Sequence, residues 1–207
     1  MKKLALIVFG IFFISFQSCN KDEDTTNTDI DTNPEITLSE QEKTDLMFLR
    51  EEEKLARDVY LFAYDKYGQK IHNNVAKSEQ KHMDQVLVLI EKYGLVDPSS
   101  ADRGVFSNSV LQGLYDDLTA IADTSVIGAY LVGATIEDLD IKDIVEFEHH
   151  TTNQDLLDMY AALVCGSRNH MRGYNKQLVE NNVTYVPQFI TQAQFDEIIS
   201  GDHESCN

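Results

Sequence analysis

Basic side chains, cysteine and strand-like patterning are all scarce in this chain, and each shortage removes a class of function. Lysine and arginine number 17 against 35 aspartates and glutamates, a formal net charge of −18. That balance excludes nucleic acid as a partner, because phosphate backbones are held by basic patches. Cysteine occurs only at positions 19, 165 and 206, so there is no disulfide framework and no set of thiolates for a metal. Few stretches alternate apolar and polar residues with period two, and strand content is expected to be negligible. After Cys19 no apolar run is long enough for a membrane span, and no internal repeat is present.

What the chain does have begins with a signal-like start. Lys2 and Lys3 precede an apolar run from Leu4 to Phe16, too short to span as a mature helix and typical of a secretory leader. Phe16-Gln17-Ser18-Cys19 resembles the lipobox of bacterial lipoproteins, which implies a signal peptide over 1–18 and lipidation at Cys19. Residues 19–37, rich in Asp, Asn and Thr, are expected to be an acidic tether. The acidic cluster Asp22-Glu23-Asp24 resembles the surface-export signal of Bacteroidetes-type lipoproteins. The expected location is therefore the bacterial cell envelope, lipid-anchored, at the outer membrane and facing outward. Without Lys2 and Lys3 the chain carries about −20, so attachment to a membrane would come from the lipid alone.

Residues 38–207 suffice for one domain with a real core. Ser39-x-x-Glu42 is a capping box that opens a helix running to Tyr67, where Gly68 stops it. A turn containing His72, Asn73 and Asn74 leads to a second helix ending at Tyr93-Gly94. Residues 95–124 form a long connection with a short amphipathic helix from Val110 to Ala122, its Leu111, Leu114, Leu118 and Ile121 directed inward. Two further long helices follow over 125–147 and 152–181. An extended exit at Tyr185-Val186-Pro187 and a small helix from Thr191 to Ile199 close the domain. One long crossover between the second and third long helices predicts an all-α, ferritin-like four-helix bundle rather than simple up-down-up-down order.

The four long segments carry charged or imidazole residues at positions where their apolar rhythm demands burial. The first seam reads Leu46, Leu49, Glu53, Ala56, Tyr60, Ala63, and the second Val75, Glu79, His82, Val86, Leu89. The third reads Tyr130, Gly133, Glu137, Asp140, Ile144, and the fourth Tyr160, Leu163, Ser167, His170, Tyr174. Such seams face a bundle core, where charges must be paired, hydrogen-bonded or bound to a metal. Mid-helix residues share one level in a bundle, so Glu53, Glu79, His82, Glu137, Asp140 and His170 are the candidate metal ligands. Carboxylate oxygen with imidazole nitrogen suits iron or manganese, and zinc is admissible. Tyr60, Tyr160 and Tyr174 read as packing residues, with a tyrosine able to hydrogen-bond a ligand. Arg57, Arg168 and Arg172 read as surface or supporting charges, with Arg168 able to pair with a site carboxylate. Cys165 reads as packing, Cys206 has no assigned role, and His72, His149, His150 and His203 fall off the seams.

Glu53-x-x-Ala56-Arg57-x-x-Tyr60 with Glu79-x-x-His82 resembles the first half-site of rubrerythrin-type di-iron proteins. The segments Glu51 to Tyr60, Ser78 to Met83, Gly133 to Glu137 and Gly166 to His170 more closely resemble the ferritin-like domain family DUF2202, over nearly all of residues 39–200. The resemblance implies two iron ions and a non-haem oxidoreductase of ferroxidase or peroxidase type, acting on oxygen, peroxide or ferrous iron. No rubredoxin-like Cys-x-x-Cys accompanies the motifs, so electrons would come from a separate donor protein. Ser167 departs from the pattern by standing where a bridging glutamate is expected, and Asp140, one turn from Glu137, is the candidate substitute. The alternative is a tethered structural or binding module with a metal-free or single-metal polar core. The chain also admits a homodimer.

Overall fold

The computed structural model describes residues 37–206. The expected signal segment, Cys19 and all but the last residue of the expected tether lie outside the described residues. Among the described residues six helices follow in order: α1 (Glu40–Tyr67), α2 (Lys70–Lys92), α3 (Ser109–Ala122), α4 (Val126–Glu148), α5 (Gln154–Glu180) and α6 (Gln192–Ser200). The fold is all-α, with no strand among the described residues, and none of these helices is long and apolar enough to cross a membrane.

The predicted capping box is present. Ser39 Oγ accepts from the Glu42 amide, and the Glu42 carboxylate accepts from the Ser39 amide, an arrangement worth about 1 kcal/mol. Gly68, at φ +65°, ends α1 in the left-handed conformation that an L side chain resists. This reversal takes only two residues, so α2 starts at Lys70 and His72, Asn73 and Asn74 lie inside it rather than in a turn. The tight link makes α1 and α2 a hairpin. α4 and α5 form a second hairpin, and the two are joined through α1 against α4 and α2 against α5.

The long crossover lays α3 over α1 and α4. Leu111 and Leu118 are buried as expected, whereas Ile121 is half exposed on the far side of α3. The crossover is fastened to α1 by buried charge. Glu51 accepts from the amides of Ser107 (2.6 Å) and Asn108 (2.9 Å), and Asp58 from Gly104 (2.9 Å). Lys54, fully enclosed, pairs with Asp58 and donates to the Asp102 carbonyl. Glu51, Glu52 and Glu53 are all buried, Glu51 under the crossover and Glu53 toward the bundle core. A run of acid on a helix suggests a solvated face, but here the crossover takes the place of water.

Asp138 on α4 does the same for the exit segment, accepting from Tyr185 Oη and from the amides of Gln188, Phe189 and Ile190. Past α6 the chain runs along α5, where Cys206 is bonded to Cys165. The bond, across 41 positions, gives Cys206 a role and Cys165 one beyond packing.

Candidate metal centre

The four seams converge. Glu53 (α1), Glu79 and His82 (α2) bring ligand atoms within 4.8 Å of one another, and so do Glu79, Glu137 (α4) and His170 (α5). Glu79 belongs to both groups and divides its oxygens between them. Its Oε2 lies 2.8 Å from His82 Nδ1, and its Oε1 lies 2.9 Å from His170 Nδ1. The remaining approaches are Glu53 Oε2 to His82 Nδ1 (3.2 Å) and Glu137 Oε2 to His170 Nδ1 (3.4 Å). Glu79 thus reaches two imidazoles through separate oxygens.

Each helix supplies its residue at the right depth because the spacing is helical. Glu79 and His82 stand at i and i+3 on one face of α2. Gly166 on α5 makes room for the second of these: a Cβ there would fall 2.6 Å from His82 Nε2. Gly133 on α4 is needed for a neighbour, since its Cβ would lie 2.4 Å from the Tyr174 ring. The Tyr60 hydroxyl donates to Glu137 Oε1 and leaves Oε2 for the His170 side. Tyr60 is therefore more than packing.

Burial and mutual pairing shift the ionisation of the residues in the centre. Burial pushes the Glu53 carboxyl up to about 7, with Glu79 adding to the rise and His82 opposing it. Burial would lower the His170 imidazole, but Glu79 and Glu137 outweigh it and hold it at about 10. Burial likewise opposes ionisation of Glu79, yet His170 and His82 hold it below the usual carboxylate range. In this state imidazolium protons balance the carboxylates, and a bound cation would replace them. Several groups also have no hydrogen-bond partner in full burial: Glu53 Oε1, Glu79 Oε1 and His170 Nδ1. The last two face each other at 2.9 Å without hydrogen-bond alignment. Buried atoms of this kind are costly unless something else meets them, so the donor set fits a pair of hard or borderline cations.

Asp140, expected among the ligands, is buried nearby but is in neither group of three. Its Oδ2 accepts from the Ser167 hydroxyl, and its Oδ1 is without a partner. Arg168, considered as a partner for a site carboxylate, instead holds Glu204. Two residues escaped the sequence reading. Glu52 is 3% exposed with both oxygens unpartnered, and burial, then Asp140 and Asp143, hold its carboxyl well above the usual range. His72 is fully enclosed, with its ring stacked near Tyr60 and Tyr130 and its Nδ1 3.2 Å from Tyr174 Oη. Burial lowers its imidazole to about 4, so it is neutral. No periodic signal in the sequence separates Glu52 from its acidic neighbours, and His72 lay in what read as a turn.

A helical bundle whose core gathers carboxylates and imidazoles in ligating geometry defines a class of candidate metal proteins. The chain belongs to the family described as "Uncharacterized protein domain (DUF2202)", which matches residues 42–202. It is 47% identical over 172 residues to "Uncharacterized protein MJ0754" of Methanocaldococcus jannaschii, covering 83% of this chain and 93% of that protein. The crystal structure of hypothetical protein MJ0754 superposes with a TM-score of 0.81 at 46% identity, covering 83% of this chain and 98% of that one.

Proposed function

We propose that the protein is a ferritin-like metal protein that holds two adjacent cations, iron in its working state, and acts as an oxidoreductase on oxygen, peroxide or ferrous iron. The observation carrying this reading is Glu79, whose two oxygens face two separate histidine-bearing groups. In it, Glu53, Glu79 and His82 would hold one ion, and Glu79, Glu137 and His170 the other. Iron so held would supply one-electron redox chemistry and activation of oxygen or peroxide. Manganese and zinc suit the same donors.

The chain's own residues do the rest. Tyr60 fixes the orientation of Glu137. His82 and His170 give up protons when cations arrive, which couples loading to pH. The apolar seams above and below, among them Leu49, Leu163 and Val86, exclude bulk water. Asp140, held by Ser167, sits as a spare carboxylate beside the centre. Electrons would come from a separate donor protein. The Cys165–Cys206 bond supports an oxidising compartment, in keeping with export and anchoring at the envelope through Cys19.

A second reading has an observation of its own. The Ser167–Asp140 bond removes one carboxylate from service, and His82 and His170 as imidazolium pair with Glu53 and Glu79 without a cation. That favours a structural module with one metal or none. Anaerobic titration with ferrous iron, followed by metal analysis, separates the two. Two equivalents bound, with oxygen consumed on exposure to air, support the proposal. A folded protein that takes up no iron and melts at the same temperature with and without it would overturn it.

A further inference from the structure

Among the described residues, two cavities flank the centre, and only one of them touches its ligand candidates. On the α1–α4 side Glu52 and Asp140 meet a cavity of about 20 Å3, otherwise walled largely by apolar side chains such as Leu55, Leu118 and Phe189. It has room for one water-sized molecule and no larger hydrated ion. On the α2–α5 side a cavity of about 390 Å3 is lined by His82 and His170. These imidazoles are 8% and 11% exposed, whereas the glutamates of the centre stay within 3%.

The outer wall of the larger cavity is the C-terminal tail, His203 to Cys206. Tails of this kind are ordinarily loose unless tied down. This one is tied to a single face of α5 at positions 165, 168, 169 and 172. Cys206 is bonded to Cys165, and the Glu204 carboxylate accepts from Arg168 Nε (2.9 Å) and Arg172 Nη2 (2.7 Å). The Glu204 amide donates to Asn169 Oδ1, and the Glu204 carbonyl accepts from Asn169 Nδ2. The fastened segment carries His203, a third imidazole beside those of His82 and His170. Among the described residues, Lys81 is the one lysine or arginine on the cavity wall, and it is exposed.

We propose that this cavity is the port through which hydrated divalent cations reach and leave the centre, and that the Cys165–Cys206 bond sets how open it is. Cys206 is exposed and Cys165 buried, so a dithiol reductant attacks at the tail sulfur. Each cysteine sulfur then gains one electron and one proton, and the dithiol leaves as its own disulfide. The freed tail is then held by the Glu204 contacts and the Asn169 Nδ2 bond to Cys206 Sγ, and the wall can swing away from His82 and His170.

The inference rests on the two-cation reading, and its test keeps the two apart. Protein loaded with Co2+ is mixed with excess EDTA, and loss of the cobalt absorption is followed with time. Reduction with dithiothreitol, and separately Cys206→Ser, should speed extraction by at least about tenfold, because a locally released segment opens more often. Glu204→Gln in the Cys206→Ser background should speed it further, and Ala162→Trp, which fills the port, should slow it. Circular dichroism checks that each variant is folded. Unchanged rates in the reduced protein and in the folded variants, with cobalt stoichiometry intact, would overturn the port. Failure of the parent protein to bind cobalt or iron would overturn the two-cation reading instead.

Discussion

Ser167 on α5 donates its hydroxyl to Asp140 on α4, across the seam where a bridging glutamate was the expected residue. Asp140 is thereby satisfied on one oxygen and unpartnered on the other. Ser167→Ala would leave both oxygens of a buried carboxyl without a donor, at a cost of about 1–3 kcal/mol. The urea midpoint of metal-free protein should fall accordingly. An unchanged midpoint would show that this bond contributes nothing.

Glu79→Gln should abolish both ions rather than one. The shared carboxylate faces His82 through Oε2 and His170 through Oε1, and an amide offers one neutral oxygen in its place. Iron stoichiometry should drop from two toward zero, whereas Glu53→Gln should leave the His170 side occupied. If Glu79→Gln retained one full equivalent, the bridging geometry would be wrong.

Gly166→Ala should weaken cation binding at the His82 side first. The new methyl would stand 2.6 Å from His82 Nε2 and 2.7 Å from its Cε1, so the ring must turn. Crowding of this order costs about 1–3 kcal/mol, spread between stability and affinity. Calorimetric titration with Co2+ would show one site weakened and the His170 site retained. Two unaltered sites would exclude a role for this glycine.

The tail latch should be sensitive to acid. Hydrogen bonding to Arg168, with Arg172 adding and burial opposing, holds the Glu204 carboxyl at about 2, against 4.5 for a free one. Because the folded value is depressed, the latch is at full strength above pH 4.5 and weakens as the pH falls toward 2. A carbon NMR titration of the Glu204 carboxyl should show its midpoint near 2. A midpoint near 4.5 would mean that the two arginines do not hold it.

The helices and most of the centre were legible because both obey the 3.6-residue period. Ser39 and Glu42 announce the start of α1, and Glu53, Glu79, His82, Glu137 and His170 stand on seams whose other members are mostly apolar, Asp140 and Ser167 apart. The rest depends on what covers each helix. Glu51 and Glu52 look like surface acid until the crossover is laid over them, and Ile121 looks internal until α3 is docked. Arg168 feels Glu148 of α4 as well as Glu204, and only the path of the tail selects Glu204 as its partner. The pairing of Cys165 with Cys206 follows from that same path, which local pattern does not encode.

The two-hairpin arrangement also bears on how the centre comes into being. Glu53 and His82 are 29 positions apart within one hairpin, so their encounter needs only a short loop to close. Glu137 lies 77 positions from its partner Tyr60, beyond the crossover, and its arrival must await that longer closure. Contacts of low sequence separation form sooner. On the proposed two-cation reading, a newly made chain would therefore bring Glu53, Glu79 and His82 together before the second hairpin docks.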